Sequence, residues 1–185
     1  MTQKQTFRKT GARTKPALDQ NSLWEYALRI LSQRAYSSGE IRQKLLKRAD
    51  SPGTLQAVIT KLRDYGLDDD RKFSEAFAAA RLQNSGFGRF RILRDLRAKR
   101  VAPAVAEGAV NRAFAETDEQ QLIEQFLSRK YRAVDLSQFL KEDKNLAAAY
   151  RRLRTAGFSS GGALAVLKRY SRRVEDWGEP AEENE

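Results

Sequence analysis

The chain has 185 residues, 41% of them hydrophobic, so it can bury the core of one ordinary domain or of several small helical units. It contains no cysteine, which excludes disulfides, iron–sulfur clusters, thiolate zinc sites and a cysteine nucleophile. It also contains no histidine, the most common general base and the most common nitrogen ligand of zinc. We therefore predict a protein that is not an enzyme and needs no cofactor.

The charge of the chain is positive and unevenly distributed. The 35 Lys and Arg residues exceed the 24 Asp and Glu residues, which gives a net charge of +11. Six of the acidic residues lie in residues 175–185, a segment without Lys or Arg, so residues 1–174 carry a net charge of +17. A body with this charge attracts polyanions, and nucleic acid is favoured over a membrane surface because the aromatic residues fall at core spacing inside predicted helices.

Residues 1–22 form a polar, basic arm that we expect to be flexible. No apolar run behind it is long enough for a signal peptide or a membrane span, so we expect a cytoplasmic protein.

Helical spacing of apolar residues predicts three helices in residues 23–69. Ser38 is in position to cap the second helix, and Gly66 to end the third. The apolar faces of the three helices comprise Trp24, Ala27, Leu28 and Leu31; Ile41 and Leu45; and Leu55, Val58, Ile59 and Leu62.

The same arrangement returns in residues 70–116 and, more loosely, in residues 117–174. In the second repeat the apolar faces of the three helices comprise Phe73, Ala76, Phe77 and Ala80; Ile92, Leu93 and Leu96; and Ala106, Ala109, Val110 and Ala113. In the third repeat they comprise Ile123, Phe126 and Leu127; Leu146, Ala149, Tyr150 and Leu153; and Leu164, Leu167 and Tyr170. Since no alternating run is long enough for a strand, we predict an all-α fold of three tandem three-helix repeats in an elongated, curved array.

Residues 175–185 follow the last unit as an acidic tail with Gly178, Pro180 and a single aromatic residue, Trp177. Such a segment buries too little apolar surface to offset the entropy of ordering it, so we expect the tail to be mobile.

The segment Gly157-Phe158-Ser159-Ser160-Gly161 matches the G-x-S-x-G pattern of serine hydrolases. That pattern needs a strand before the serine and a base to take its proton, and the sequence offers neither a predicted sheet nor a histidine. We therefore expect Ser159 or Ser160 to cap the last helix.

Asp68-Asp69-Asp70 has the oxygen ligands that Mg²⁺ prefers, but the sequence indicates no further acidic partners for a metal site. At the start of the helix that carries Phe73, carboxylates cap free N–H groups and oppose the positive end of the helix dipole, so capping is favoured and no metal is expected. Gly86-Phe87-Gly88 lacks the Lys-Ser/Thr of a phosphate-binding loop, and we expect a turn there.

The segment from Gly88 to Arg100 is predicted to be a helix with one apolar face and one basic face. Arg91 and Arg94 lie opposite the apolar residues. In the third repeat, the helix that carries Leu146 likewise has an apolar face and a basic face. One charged face alone is commonly just solvated, but two such helices in equivalent positions predict a continuous basic strip. The predicted strip, which we expect to bind nucleic acid or a protein–nucleic acid assembly, comprises Arg81, Arg89, Arg91, Arg94, Arg97, Lys99, Arg100, Arg151, Arg152, Arg154, Lys168 and Arg169.

The order and spacing of several short motifs, across residues 23 to 171, resemble the RecX family. The matching residues are Ala27-Leu28, Ser38, Glu40-Ile41 and Lys44-Leu45; then Leu67-Asp68-Asp69, Phe73, Arg81, the turn at Gly88, Arg91-Ile92, Leu96 and Lys99; and finally Gly157-Phe158, Leu164 and Leu167. Ser74 stands where the family usually has Ala. Arg100 stands where the family generally has Gly, so its helix is expected to end differently.

The resemblance implies three tandem three-helix repeats and a regulator, expected to be a monomer, that lies along the RecA filament on single-stranded DNA. Such a protein modulates, and mainly inhibits, filament growth, ATP hydrolysis and strand exchange in recombination, DNA repair and the SOS response. Phosphate contacts to single-stranded and double-stranded DNA fit the charge.

Two other classes stay open. Three-helix units are also found in sequence-specific helix-turn-helix regulators, although here Leu55 to Tyr65 and Pro103 to Ala115 carry few residues that read base edges. An enzymatic function would appear as nuclease or ATPase activity of the protein alone.

Overall fold

The computed structural model of the chain describes residues 16–171, and its helices account for nearly all of the apolar periodicity in that range. The helices are α1 Gln20–Gln33, α2 Ser38–Leu46, α3 Pro52–Asp64, α4 Asp70–Ala80, α5 Arg89–Ala98, α6 Pro103–Ala113, α7 Glu119–Lys130, α8 Leu136–Phe139, α9 Asp143–Thr155 and α10 Ser160–Lys168. Residues 16–171 contain no β-strand, only an isolated bridge between Leu18 and Ala49. The prediction of an all-α fold built from three-helix units is therefore confirmed.

Three features depart from the predicted outline. A π-helical turn, Arg81–Ser85, continues α4. The short helix α8 lies between α7 and α9, the first two long helices of the third repeat. Residues 20–22, which we predicted to belong to the arm, form the first turn of α1 because the Asp19 side chain accepts a hydrogen bond from Ser22 N at 2.8 Å. Residues 1–15 of the arm and the acidic tail, residues 175–185, lie outside the described residues.

None of the helices within residues 16–171 is long and apolar enough to cross a membrane.

The helices form two compact units. Within the described residues, the first comprises residues 16–35 together with Ile41–Leu67, and the second comprises Tyr36–Glu40 together with residues 68–171. In the first unit α1 packs against α3, and the predicted apolar face of α3 is buried as expected. The inward face of α1 is Leu23, Ala27 and Ile30, whereas Leu28, which we predicted to face inward, is 39% exposed. Leu23, Ala27 and Ile30 have i, i+4, i+7 spacing and therefore lie on one face of α1. Leu28 lies at the edge of this face.

Side-chain caps start most of the helices. Ser51, Asp69, Asp118, Asp135 and Ser159 each accept hydrogen bonds from backbone N–H groups in the first turn that follows. The predicted caps at Asp69 and Ser159 are therefore confirmed.

The prediction of Ser38 as the cap of α2 is wrong by one residue. Ser37 Oγ accepts from Glu40 N at 3.1 Å, and the Glu40 carboxylate accepts from Ser37 N at 3.4 Å. This reciprocal pair needs an acidic residue three positions after the cap, which Ser37 has and Ser38 does not.

The second unit has two adjoining hydrophobic clusters. One is built from α4, α5 and α6 around Ile92, Leu96 and Val110, and the other from α7 to α10 around Leu127, Leu153 and Phe158. Leu82, Phe87 and Phe114 pack against both clusters. The second and third repeats are thereby joined by shared apolar contacts.

The buried face of α4 differs from the predicted one. Ser74 and Ala78 are fully buried, Phe73 and Phe77 are half-buried, and Ala76 and Ala80 are exposed. The prediction failed because it gave the inward positions to the largest apolar residues. Small residues line the inner face instead, and the two phenyl rings stack against each other beside it, 5.9 Å apart.

Replacing Ser74 by Ala should stabilise the protein by about 1 kcal/mol. The Ser74 hydroxyl is buried and has no hydrogen-bond partner among the described residues, so its desolvation is not compensated. Urea denaturation followed by circular dichroism measures the change. Ser128→Ala, at an exposed position of α7, is the matched control, because it changes helix propensity without changing burial. Equal effects of the two substitutions would show that the buried hydroxyl costs nothing.

Candidate polyanion-binding surface

The start of α5 lies against the end of α9. Gly88 N donates to Ala156 O at 2.9 Å, and Phe90 N donates to Gly157 O at 3.0 Å. The first N–H groups of a helix have no partner within it, so the carbonyl groups behind α9 take the place of a capping side chain. The positive end of one helix dipole thereby meets the negative end of the other.

Gly88 and Gly157 allow this close approach. A Cβ atom on Gly88 would overlap the Gly157 carbonyl, and one on Gly157 would overlap the backbone of Arg91. Gly157 also has φ +89°, a left-handed conformation that other residues rarely adopt. These two glycines, which we predicted to belong to structural motifs of different repeats, are thus in contact with each other.

The junction brings together the basic faces of α5 and α9. Arg94 donates to Thr155 O, at the end of α9, at 3.3 Å, and Arg91 approaches the same oxygen at 3.5 Å. Arg97 follows Arg94 by one turn on α5, and Arg151 precedes Thr155 by one turn on α9. Basic residues of α5 and α9 therefore lie on both sides of this junction, and their action as one binding strip stays a prediction.

Arg91 differs from its predicted outward position. Its side chain is only 33% exposed, pairs with Asp95 Oδ1 at 3.0 Å and lies over the Phe87 ring at 5.3 Å. The helical periodicity was right, but α9 covers this part of α5. Arg94 and Arg97 are exposed as predicted.

Lys99 is held inside the second unit. Its ammonium group pairs with Glu40 Oε1 at 3.2 Å and lies 5.5 Å from the centre of the Phe77 ring, and its side chain is 23% exposed. The carboxylate neutralises much of its charge locally, so Lys99 contributes little to an external basic surface.

Arg100 ends α5 as a glycine would, which corrects the expectation of a different helix end. Its φ is +64°, the only positive value at a non-glycine residue in the described part of the chain. Val101 N donates to Leu96 O at 3.2 Å and Arg100 N donates to Arg97 O at 2.8 Å, the bonds of a left-handed cap. Ser37 Oγ donates to the neighbouring Lys99 carbonyl, which helps to hold this turn.

The remaining members of the predicted strip have diverse surroundings. Arg81 lies over the Phe77 ring at 5.1 Å, and Arg89 donates to Asn111 Oδ1 of α6 at 2.6 Å. Arg154 donates to Phe158 O at 2.9 Å while staying exposed, and Arg169 pairs with Glu124 of α7. Arg152 lies over the Tyr131 ring at 5.5 Å, and Arg151 and Lys168 are exposed. Within the described residues, the exposed strip members that pair with no acidic side chain are Arg94, Arg97, Arg100, Arg151, Arg152, Arg154 and Lys168.

The other motif residues have structural positions. Ile92, Leu96 and Phe158 are completely buried, and Phe73 is half-buried. Leu67, beyond the end of α3, is 42% exposed, and Asp68 is half-buried.

Asp69 caps α4. Its carboxylate accepts hydrogen bonds from Lys72 N and Arg71 N, both at 3.0 Å. The bond from the Lys72 backbone is the main cause that holds the pKa of Asp69 below its ordinary value. In residues 16–171, no group of three or more acidic side chains is placed to hold a metal ion.

A cavity of about 370 Å³ opens beside the junction and was not predicted. It is lined by Phe87, Arg91, Phe126, Lys130, Ala148, Arg151, Arg152, Thr155 and Ala156. Four of these residues are cationic and none is acidic. Because they come from α5 and the turn before it, from α7, and from α9 and its end, no local sequence signal groups them. Phe90 was also missed: it is 55% exposed and lies one turn before Arg94 on α5.

Comparison with known proteins identifies relatives of this chain. Residues 24–62 match the first three-helix domain of RecX, and residues 69–110 match the second. The regulatory protein RecX of Syntrophotalea carbinolica is 25% identical over 147 residues, covering 80% of this chain and 92% of the relative. The regulatory protein RecX of Streptomyces coelicolor is 28% identical over 155 residues, covering 84% of this chain and 79% of the relative. The crystal structure of RecX from Lactobacillus salivarius has the same fold, with a TM-score of 0.63 at 19% identity over 83% of this chain and 97% of that chain.

Proposed function

Because the chain belongs to the RecX family of regulatory proteins, we propose that it binds the RecA filament on single-stranded DNA and restrains it. Bound protein would hinder filament growth, ATP hydrolysis and strand exchange, and so act on recombination, DNA repair and the SOS response. In this proposal the protein acts as a cytoplasmic monomer and catalyses no reaction of its own.

The observation that carries the proposal is the set of exposed cations on both sides of the junction between α5 and α9. Arg94 and Arg97 on one helix and Arg151 on the other are exposed, and none of them pairs with an acidic side chain among the described residues. A charged face that served only solubility would gain little from being continuous across two repeats. A polyanion that lies along the surface contacts all three residues at once, and each phosphate contact adds favourable counterion release.

RecA on circular single-stranded DNA, with its ATP hydrolysis and strand exchange followed over time, gives the direct test. Purified protein at micromolar or lower concentration should reduce both rates. Protein added after the filament has formed should act as well as protein added before it, since the filament is the proposed target. Unchanged rates in both orders of addition would exclude the proposed function.

A further inference from the structure

The cavity beside the junction of α5 and α9 has the composition of a nucleotide site. We propose that it binds a nucleotide of single-stranded nucleic acid, with the base on Phe126 and the adjacent phosphates on Arg151, Arg152 and Lys130. This inference rests on the proposed contact with single-stranded DNA and adds where a base, as distinct from the phosphate backbone, is held.

Charge complementarity favours a polyanionic ligand. All four ionisable residues that line the cavity are cationic. Asp95 neutralises Arg91, while Lys130 and Arg151 are exposed and pair with no acidic side chain of the described chain. Sites that hold single-stranded nucleic acid without reading its sequence combine such cations with aromatic rings on which bases stack.

The aromatic side chains of the cavity are packed against neighbouring groups, which lowers the cost of binding. Phe126 is half-buried and meets the completely buried Phe158 edge-on, with ring centres 5.5 Å apart. Phe87 carries the Arg91 guanidinium over its ring at 5.3 Å, and that guanidinium is itself fixed by Asp95. Both planar groups are therefore in place before a ligand arrives, so little side-chain entropy is lost on binding.

Size and polarity fit a single nucleotide. A cavity of about 370 Å³ lies at the low end of the range for small-molecule sites. Thr155 is the only uncharged lining residue with a side-chain hydrogen-bonding group. The cavity thus has almost nothing with which to distinguish one base from another, and binding should depend little on sequence.

The test compares oligothymidine with an abasic deoxyribose-phosphate chain of the same length, using fluorescence anisotropy and no RecA. Stacking of a base should make oligothymidine bind about fivefold to a hundredfold more tightly than the abasic chain. Phe126→Leu should remove this preference and leave the binding of the abasic chain and its salt dependence unchanged. Phe90→Leu changes an exposed ring of α5 outside the cavity, on the same helix face as Arg94, and should keep the preference if the base stacks in the cavity.

A second pair of variants avoids any change in the core. Ala148 is exposed and lines the cavity, so Ala148→Glu places a carboxylate among the four cations. It should weaken oligothymidine binding at least tenfold more than Ala115→Glu, which makes the same charge change at an exposed position after α6.

Three results would overturn the proposal. Equal affinity of the wild-type protein for both chains would show an anion site without base stacking. Loss of the preference in Phe90→Leu but not in Phe126→Leu would place the base on α5. Stronger displacement by polyglutamate than by the abasic chain would identify an acidic peptide as the ligand. A base preference retained by a protein without effect on RecA would refute the proposed function and leave the nucleotide site standing.

Discussion

Replacing Gly157 by Ala should lower the free energy of unfolding of the second unit by about 3 kcal/mol or more. Two costs add at this position. The φ of +89° is unfavourable for any residue with a Cβ, and the new methyl group would overlap the backbone of Arg91. Since that backbone belongs to α5, the overlap can be relieved only by moving the two helices apart. Urea denaturation followed by circular dichroism measures the loss.

Two other glycines separate these costs. Gly66 has φ +67° with open space around its Cβ position, so Gly66→Ala should cost only the backbone strain, about 1 to 2 kcal/mol. Gly161, in the first turn of α10, has open space and no positive φ, so Gly161→Ala should be neutral or slightly stabilising. If Gly157→Ala costs no more than Gly66→Ala, the close contact between α5 and α9 does not contribute to stability.

The helices were predictable from the sequence because their signals are local. The spacing of apolar residues predicted α3 and α9. Gly66 predicted the end of α3, because this type of helix end depends only on backbone conformation. The errors arose where the burial of a residue depends on how its helix packs against other helices. Ser74 is buried because its small size lets α4 approach its neighbours, and a polar residue type gives no sign of that.

The sequence showed which residues of the basic surface carry positive charge, but not which of them are covered or pair with acidic side chains. Arg91 and Arg97 look alike in the sequence, yet Arg91 is held by Asp95 and α9 while Arg97 is exposed. Lys99 was assigned to the same surface and is paired with Glu40, which is 59 residues earlier in the chain. Such pairings depend on how repeats pack, and helical periodicity describes only one helix at a time.

Replacing Arg97 and Arg151 together by Ala should weaken the binding of single-stranded DNA about tenfold or more at low salt. It should also reduce the slope of log affinity against log salt by about 1.4, because each phosphate contact contributes about 0.7. Neither side chain pairs with an acidic residue of the described chain, and both are exposed on helices, so the fold should be retained. Salt titrations of oligothymidine binding by the wild type and the double variant measure both quantities.

Arg71→Ala with Lys141→Ala is the control, since it removes the same charge at two exposed positions outside α5 and α9. Glu75, the partner of Arg71, keeps its ion pair with Arg112 at 2.7 Å, so no acidic group is left alone. General attraction to a positive body depends on total charge and would change both variants equally. A surface with defined phosphate contacts changes the slope only in the first variant. Equal slopes in the two double variants would therefore leave the junction of α5 and α9 with no specific role in binding.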